Sequence, residues 1–230
     1  MDDVVISVEN ISKSFGGVNA LQQVSMTVRR GEIHCLAGEN GSGKSTLIKV
    51  ISGYYRPDSG TIRIDGRTFT SLTPAESIRH GVQVIYQDFS LFPNLSVMEN
   101  LALNAEVARG SHLVSYRRMR ETAQQAVEKI GLDVDMNARV ADLSVADRQM
   151  IAIARALAHK AKVVIMDEAT ASLTRKEVNR LFDVIHAMRD EGVAVVFVSH
   201  KLDEVFEISD AITIFRNGKN VVSCPANEMD

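Results

Sequence analysis

Gly38-Glu39-Asn40-Gly41-Ser42-Gly43-Lys44-Ser45-Thr46 is the stretch on which the reading of this chain turns. Its spacing, Gly-x-x-x-x-Gly-Lys-Ser, is the P-loop pattern. The glycines allow backbone amides to converge on a phosphate without side-chain obstruction. A helix beginning at Lys44 points its positive end at the same place. The pattern predicts that Lys44 reaches the β- and γ-phosphates of a nucleotide and that Ser45 holds Mg²⁺. Residues 32–37, just upstream, are mostly apolar and of strand length, so the local unit reads strand–loop–helix.

Outward from that loop, the 230 residues suit one domain, with room for a subdomain. Apolar residues make up 45% and charged residues 24%, enough to bury a core. The net charge of −3, with acids and bases interspersed, gives no support for a nucleic-acid or anionic-lipid surface. Two unclustered cysteines, Cys35 and Cys224, form neither a disulfide framework nor a zinc site. The acidic start, Met1-Asp2-Asp3, has the wrong charge for a signal peptide, and no apolar run reaches the length of a membrane span.

The element pattern changes along the chain. Residues 4–8 and 24–28 read as alternating strands joined by a loop holding Phe15-Gly16-Gly17. Residues 61–64 alternate again before the Asp65-Gly66 turn, and 82–86 form another strand. From 97 to about 158 the pattern is mainly helical, with amphipathic spacing at 116–130 and 146–157. Strands at 163–166 and 193–198 then alternate with helices at 174–189 and 201–208. Residues 211–215 and 221–223 flank Asn217-Gly218, a hairpin signal. Continuous apolar strands between helices predict a parallel sheet covered on both faces, hence an α/β fold.

Three further sites carry chemistry. Val163-Val164-Ile165-Met166-Asp167-Glu168 is a buried strand ending in two acids. Asp167 is placed to hold Mg²⁺, and Glu168 to polarise an attacking water as general base. His200 closes the apolar strand Val195-Val196-Phe197-Val198-Ser199, where its imidazole can bond a γ-phosphate and the neighbouring acid. Gln87 follows Val84-Ile85-Tyr86, where its amide can touch Mg²⁺ or the attacking water.

Taken in order, the P-loop, Gln87, Leu143-Ser144-Val145-Ala146-Asp147-Arg148-Gln149, Asp167-Glu168 and His200 resemble the ATP-binding subunit of ABC transporters, over nearly the whole chain. The resemblance implies a P-loop NTPase fold: a RecA-like core with an antiparallel β subdomain, and a helical subdomain inserted at about 88–158. It implies ATP and Mg²⁺ as cofactors, with residues 38–46 as the nucleotide-binding loop and Phe15 as the aromatic that stacks on adenine. It implies a catalytic set of Glu168, His200 and Gln87, and Ser45, Gln87 and Asp167 on the metal. Partners implied are a second ATP-binding domain, a membrane permease docked around Gln87 and residues 88–104 (with Phe89, Leu91, Phe92 and Leu95) and, indirectly, a periplasmic sugar-binding protein. The chain would then sit on the cytoplasmic face of the inner membrane.

The stretches 9–62 and 169–219 are similar to the first half of monosaccharide importers of the ribose and galactose type. Thr174 supports this, because most relatives carry Asp there. Those importers hold two ATP-binding halves in one polypeptide, so the 230 residues are expected to be the first of two. One stretch departs from the family pattern. The signature Leu-Ser-Gly-Gly-Gln, which presents a serine and a helix start to the partner's γ-phosphate, is here Leu143-Ser144-Val145-Ala146-Asp147. Ser144 is kept. Val145 and Ala146 add side chains where backbone must approach phosphate, and Asp147 adds a negative charge near an anion. Ala169 also replaces the proline usual after the catalytic Glu. The expectation is one hydrolytic site, made by this chain's P-loop and the other half's signature. Two rival readings are a DNA-repair or chromosome-organising ATPase, for which no coiled coil, zinc insertion or basic surface is present, and a nucleotide-dependent switch with little turnover.

Overall fold

The computed structural model describes residues 3–86, 90–108 and 114–229. Gln87 and Phe89 lie outside the described residues. The chain divides into two compact units, one of residues 1–84, 162–169 and 185–230, the other of 85–161 and 170–184.

The first unit opens with two long antiparallel strands, β1 (Val4–Phe15) and β2 (Val18–Arg29), joined at Gly16-Gly17. They extend well past the residues 4–8 and 24–28 where alternation is plain. Register shifts between Val8 and Ile11, and left-handed φ at Asn10 (52°) and Gln23 (52°), let the ladder continue through polar residues. Phe15 therefore ends a strand rather than sitting in a loop. β1 also pairs with β4 (Ser59–Ile64), and β4 with the short β5 (Arg67–Phe69), giving the sheet order β2-β1-β4-β5. Asp65 and Gly66, both with positive φ, make the tight turn between β4 and β5 that their sequence predicts.

The second sheet of this unit is built on β3 (Ile33–Gly38). Its order is β10-β9-β3-β8-β7-β6, with β6 (Val82–Ile85), β7 (Val163–Asp167), β8 (Ala194–Ser199), β9 (Ala211–Arg216) and β10 (Lys219–Pro225). β3 runs parallel to β8 and β9, β7 runs parallel to β8, and β10 is antiparallel to β9. Ile33 to Ala37 and Ala194 to Ser199 are all buried, as central parallel strands require. Each such Val, Ile or Leu contributes about 1.5–3 kcal/mol over its exposed state. Asp65 ties the two sheets: it accepts from Lys162 at 2.6 Å and pairs with Arg30. The helices of the unit include α1 (Lys44–Ile51) and α2 (Pro74–Arg79), with α7 (Leu202–Ile208) after β8. β5 and α2 are additions to the pattern read from sequence.

The second unit holds α3 (Val97–Ala108), α4 (Tyr116–Lys129) and α5 (Val145–Ala158), packed on one another, with most of α6 (Arg175–Asp190). Three of its four helix starts, those of α3, α5 and α6, share one device. Ser96, Ser144 and Thr174 stand three residues before Glu99, Asp147 and Glu177, and each hydroxyl donates to that carboxylate at 2.7 Å. Thr73 and Glu76 do the same for α2 in the first unit, in a complete capping box. A Thr at 174 can donate to Glu177, which an ionised Asp could not.

Candidate functional site

The P-loop runs from β3 into α1, as its spacing predicts. Gly43 caps α1 with φ 112°, a conformation open to glycine, and an added Cβ would meet the Ala20 carbonyl oxygen at 2.7 Å. Gly43 offers no side-chain cap and the first turn of α1 holds no acid, so its leading N–H groups and dipole face an anion unopposed. The loop is braced from behind. Gly218, in the β9–β10 turn, donates its N–H to Ser42 O at 2.9 Å and accepts from Gln22 N–H at 2.8 Å. Asn40 to Thr46, with Ala20 and Glu168, line a cavity of about 210 Å³.

Lys44 is buried, and its ammonium donates to the carbonyls of Gly38 (2.7 Å) and Glu39 (2.9 Å) and to Ser42 Oγ (3.4 Å). Burial holds its pKa below the ordinary lysine value, against the opposing charges of Glu168 and Asp167. Asp167 ends β7 beside the Ser45 hydroxyl, which hydrogen-bonds it. Burial, and then the adjacent Glu168 charge, hold the Asp167 carboxyl above its ordinary value, against the Ser45 bond and the Lys44 charge.

Glu168 sits at φ 51°, a strained conformation for a non-glycine residue that clusters at functional sites. Its N–H donates to Val198 O on β8 at 3.1 Å. That anchor brings its carboxylate to His200, with Nδ1 3.3 Å from Oε1. Both side chains remain open to solvent, 27% for Glu168 and 47% for His200. Strands β3, β7 and β8 thus place a phosphate loop, a lysine, a serine–aspartate pair and an acid–histidine pair in one unit. Chemically the set can neutralise a polyphosphate, offer oxygen ligands to a hard cation and activate a water.

Phe15, 41% exposed, lies at the end of β1 and does not line the 210 Å³ cavity. Its ring meets Tyr55 edge-on at 5.0 Å, and Lys13 Nζ lies 5.3 Å from its centroid. Gln87 is outside the described residues. Ser144 belongs to the other unit, as the N-cap of α5: it accepts the Asp147 N–H at 3.1 Å while its hydroxyl donates to the Asp147 carboxylate at 2.7 Å. Sequence reading missed the brace from Gly218 and the anchor at Val198. Asn217-Gly218 signals a hairpin but not what the hairpin supports.

The family model described as "ABC transporter" matches residues 21–171. Among curated proteins, the chain is 43% identical to the ribose import ATP-binding protein RbsA 2 of Streptomyces avermitilis over 225 residues, 98% of this chain and 45% of that protein. It therefore spans less than half the length of that relative. Among solved structures, an ATP-binding cassette of an ABC transporter in its ADP conformation superposes with a TM-score of 0.86 at 26% identity, covering 98% of this chain and 92% of that one. A dimeric bacterial ABC transporter cassette gives 0.83 at 25%, covering 96% and 98%.

Proposed function

This chain belongs to the ABC transporter family, and from that premise we propose that it binds and hydrolyses ATP to power the import of a sugar through a partner permease. The observation that carries the reading is the Glu168–His200 contact beside a P-loop whose helix start is left open for an anion. The ribose-import names of its relatives support the substrate class. Residues 38–46 hold the phosphates, with Lys44 against the β and γ groups, and Phe15 stacks on adenine. Glu168 takes the proton of the attacking water and His200 steadies the acid and the γ-phosphate.

Mg²⁺ fits the donor set, since Ser45 and Asp167 are hard oxygen donors near one another. When bound, the cation supplies charge neutralisation on the phosphates, and it favours the ionised form of Asp167 that burial opposes. Gln87 is proposed to join it.

The partner is a second ATP-binding domain, a tandem half or a dimer mate, as the dimeric cassette illustrates for its own family member. The permease docks on residues 88–104, where Phe92 is exposed while its backbone N–H and carbonyl are pinned to the Asn100 amide at 2.8 and 3.0 Å. No helix among the described residues is long and apolar enough to cross a membrane, which suits a peripheral place on the cytoplasmic face. A periplasmic sugar-binding protein joins only through the permease.

ATP hydrolysis by the chain alone, across protein concentration and beside Glu168→Gln, tests this. ATP is expected to bind with negligible turnover until a domain with an intact Leu-Ser-Gly-Gly-Gln is supplied. Glu168→Gln should then lose about 10²–10⁴-fold in turnover and keep ATP affinity. Failure to bind ATP overturns the reading. The start of α5, occupied by its own Asp147, favours a second reading, a switch that binds ATP without turnover. Binding without hydrolysis, even with the intact signature present, would select it.

A further inference from the structure

His200 sits in a two-residue link between β8 and α7, with nearly half its side chain exposed, yet its ring must stay on Glu168 for the pair to act together. The residues on either side of it converge on one carboxylate. Ser199, almost wholly buried, donates its hydroxyl to Glu204 Oε2 at 3.2 Å and accepts the Lys201 N–H at 3.1 Å. Lys201 donates its ammonium to Glu204 Oε1 at 2.9 Å. Glu204 lies in the first turn of α7, is 5% exposed, and is favoured there by the helix dipole. Lys201, the N-cap of α7, provides no side-chain cap of its own. The opposite member of the pair hangs from the same strand, through the Glu168 N–H to Val198 O. Both arms of the acid–histidine contact are therefore referenced to β8, one through Val198 and the other through the Glu204 clasp.

We propose that Glu204 is a positioning residue that holds His200 against Glu168. The proposal rests on the reading of Glu168 and His200 as the hydrolytic pair. Nothing in it requires Glu204 to touch nucleotide. It acts by removing freedom from the link that carries the imidazole, and displacement of a catalytic group by an ångström can cost on the order of 10²-fold in rate. Without Glu204 the buried Ser199 hydroxyl would lose its acceptor and the Lys201 ammonium that carboxylate, leaving the link less tightly held.

The test compares wild type, Glu204→Ala, Glu204→Gln and His200→Ala in the full natural polypeptide, reading kcat and KM for ATP together with thermal unfolding. Glu204→Ala is expected to lower kcat roughly 10–100-fold with KM for ATP within about twofold, the mark of a loss felt in the transition state. Glu204→Gln, which can still accept from Lys201 and bond Ser199, is expected to recover most of that loss. The ring resonances of His200 should move in Glu204→Ala and stay near wild type in Glu204→Gln. Glu204→Ala with wild-type kcat, or Glu204→Gln no better than alanine, overturns the proposal; so does a lowered melting temperature with kcat intact, which marks α7 capping only. His200→Ala with full turnover would instead strike the reading of the pair itself, and Glu204's role with it.

Discussion

Two helix starts in this molecule, those of α1 and α5, meet the same electrostatic problem in opposite ways. Each presents leading N–H groups without intrahelical acceptors at the positive end of a dipole. At α1 the cap is Gly43, with no side chain to bond and no acid in the first turn. At α5 the cap is Ser144, and Asp147 brings a carboxylate to within 2.7 Å of its hydroxyl. The first end stays open to an external anion, and the second carries its own. The lesson is that a stretch in the place of a phosphate-contacting signature can fold as an ordinary serine-capped helix start. α5 shares its hydroxyl–carboxylate contact with α2, α3 and α6, whose starts are assigned no nucleotide.

The comparison breaks most sharply if α1 is given the kind of start α5 has. Gly43→Ser puts a Cβ at 2.7 Å from Ala20 O and strains a φ of 112°. Strain of this kind costs about 1–3 kcal/mol. The hydroxyl would also compete for N–H groups meant for phosphate. ATP affinity, read by calorimetry, is expected to fall by at least about 100-fold, roughly 2.8 kcal/mol.

A smaller effect separates the two kinds of start by pH. The carboxyls of Glu76, Glu99 and Glu177 are held below their ordinary 4.5, chiefly by the Thr73 and Ser96 hydroxyls and the Thr174 N–H. A depressed carboxyl stabilises the fold fully above the unfolded value and loses that contribution as pH falls through the folded one. The protection of first-turn amides in α2, α3 and α6, measured against the intrinsic exchange rate at each pH, should therefore fall as the solution is acidified below 4.5. The first turn of α1, without an acid, lacks this step.

The smallest expected effect sharpens the comparison from the other side. Restoring Gly-Gly-Gln at positions 145–147 opens α5, but the site it would complete is the one expected to hold ATP without turning it over. Transport should stay within about twofold of native. A large gain or loss would mean that the start of α5 limits the machine.

Much of the molecule was legible before folding was considered. The P-loop spacing, the acidic end of 163–168, the helical middle and the Asn217-Gly218 turn all appear where local rules put them. The S/T-x-x-E/D pairs at 73–76, 96–99, 144–147 and 174–177 are equally local, and reading 144–147 that way would have anticipated the closed start of α5. The length of β1 and β2 was not legible, because left-handed residues at Asn10 and Gln23 carry the ladder across a break in alternation.

What the sequence by itself determined is therefore the chemistry available: a glycine loop free to approach phosphate, a lysine beside it, two acids at a strand end, a histidine at another. These follow from residue type and spacing over fewer than a dozen positions, the range over which backbone geometry is set by neighbours. Tertiary structure alone decided which groups meet. Gly218 supports Ser42, Val198 fixes Glu168, and Glu168 reaches His200 because β7 pairs with β8 in a definite register, Asp167 opposite Val198. Those contacts join residues tens of positions or more apart, and the first two are backbone bonds that any residue but proline can make. The sequence could not announce them until the sheet was assembled.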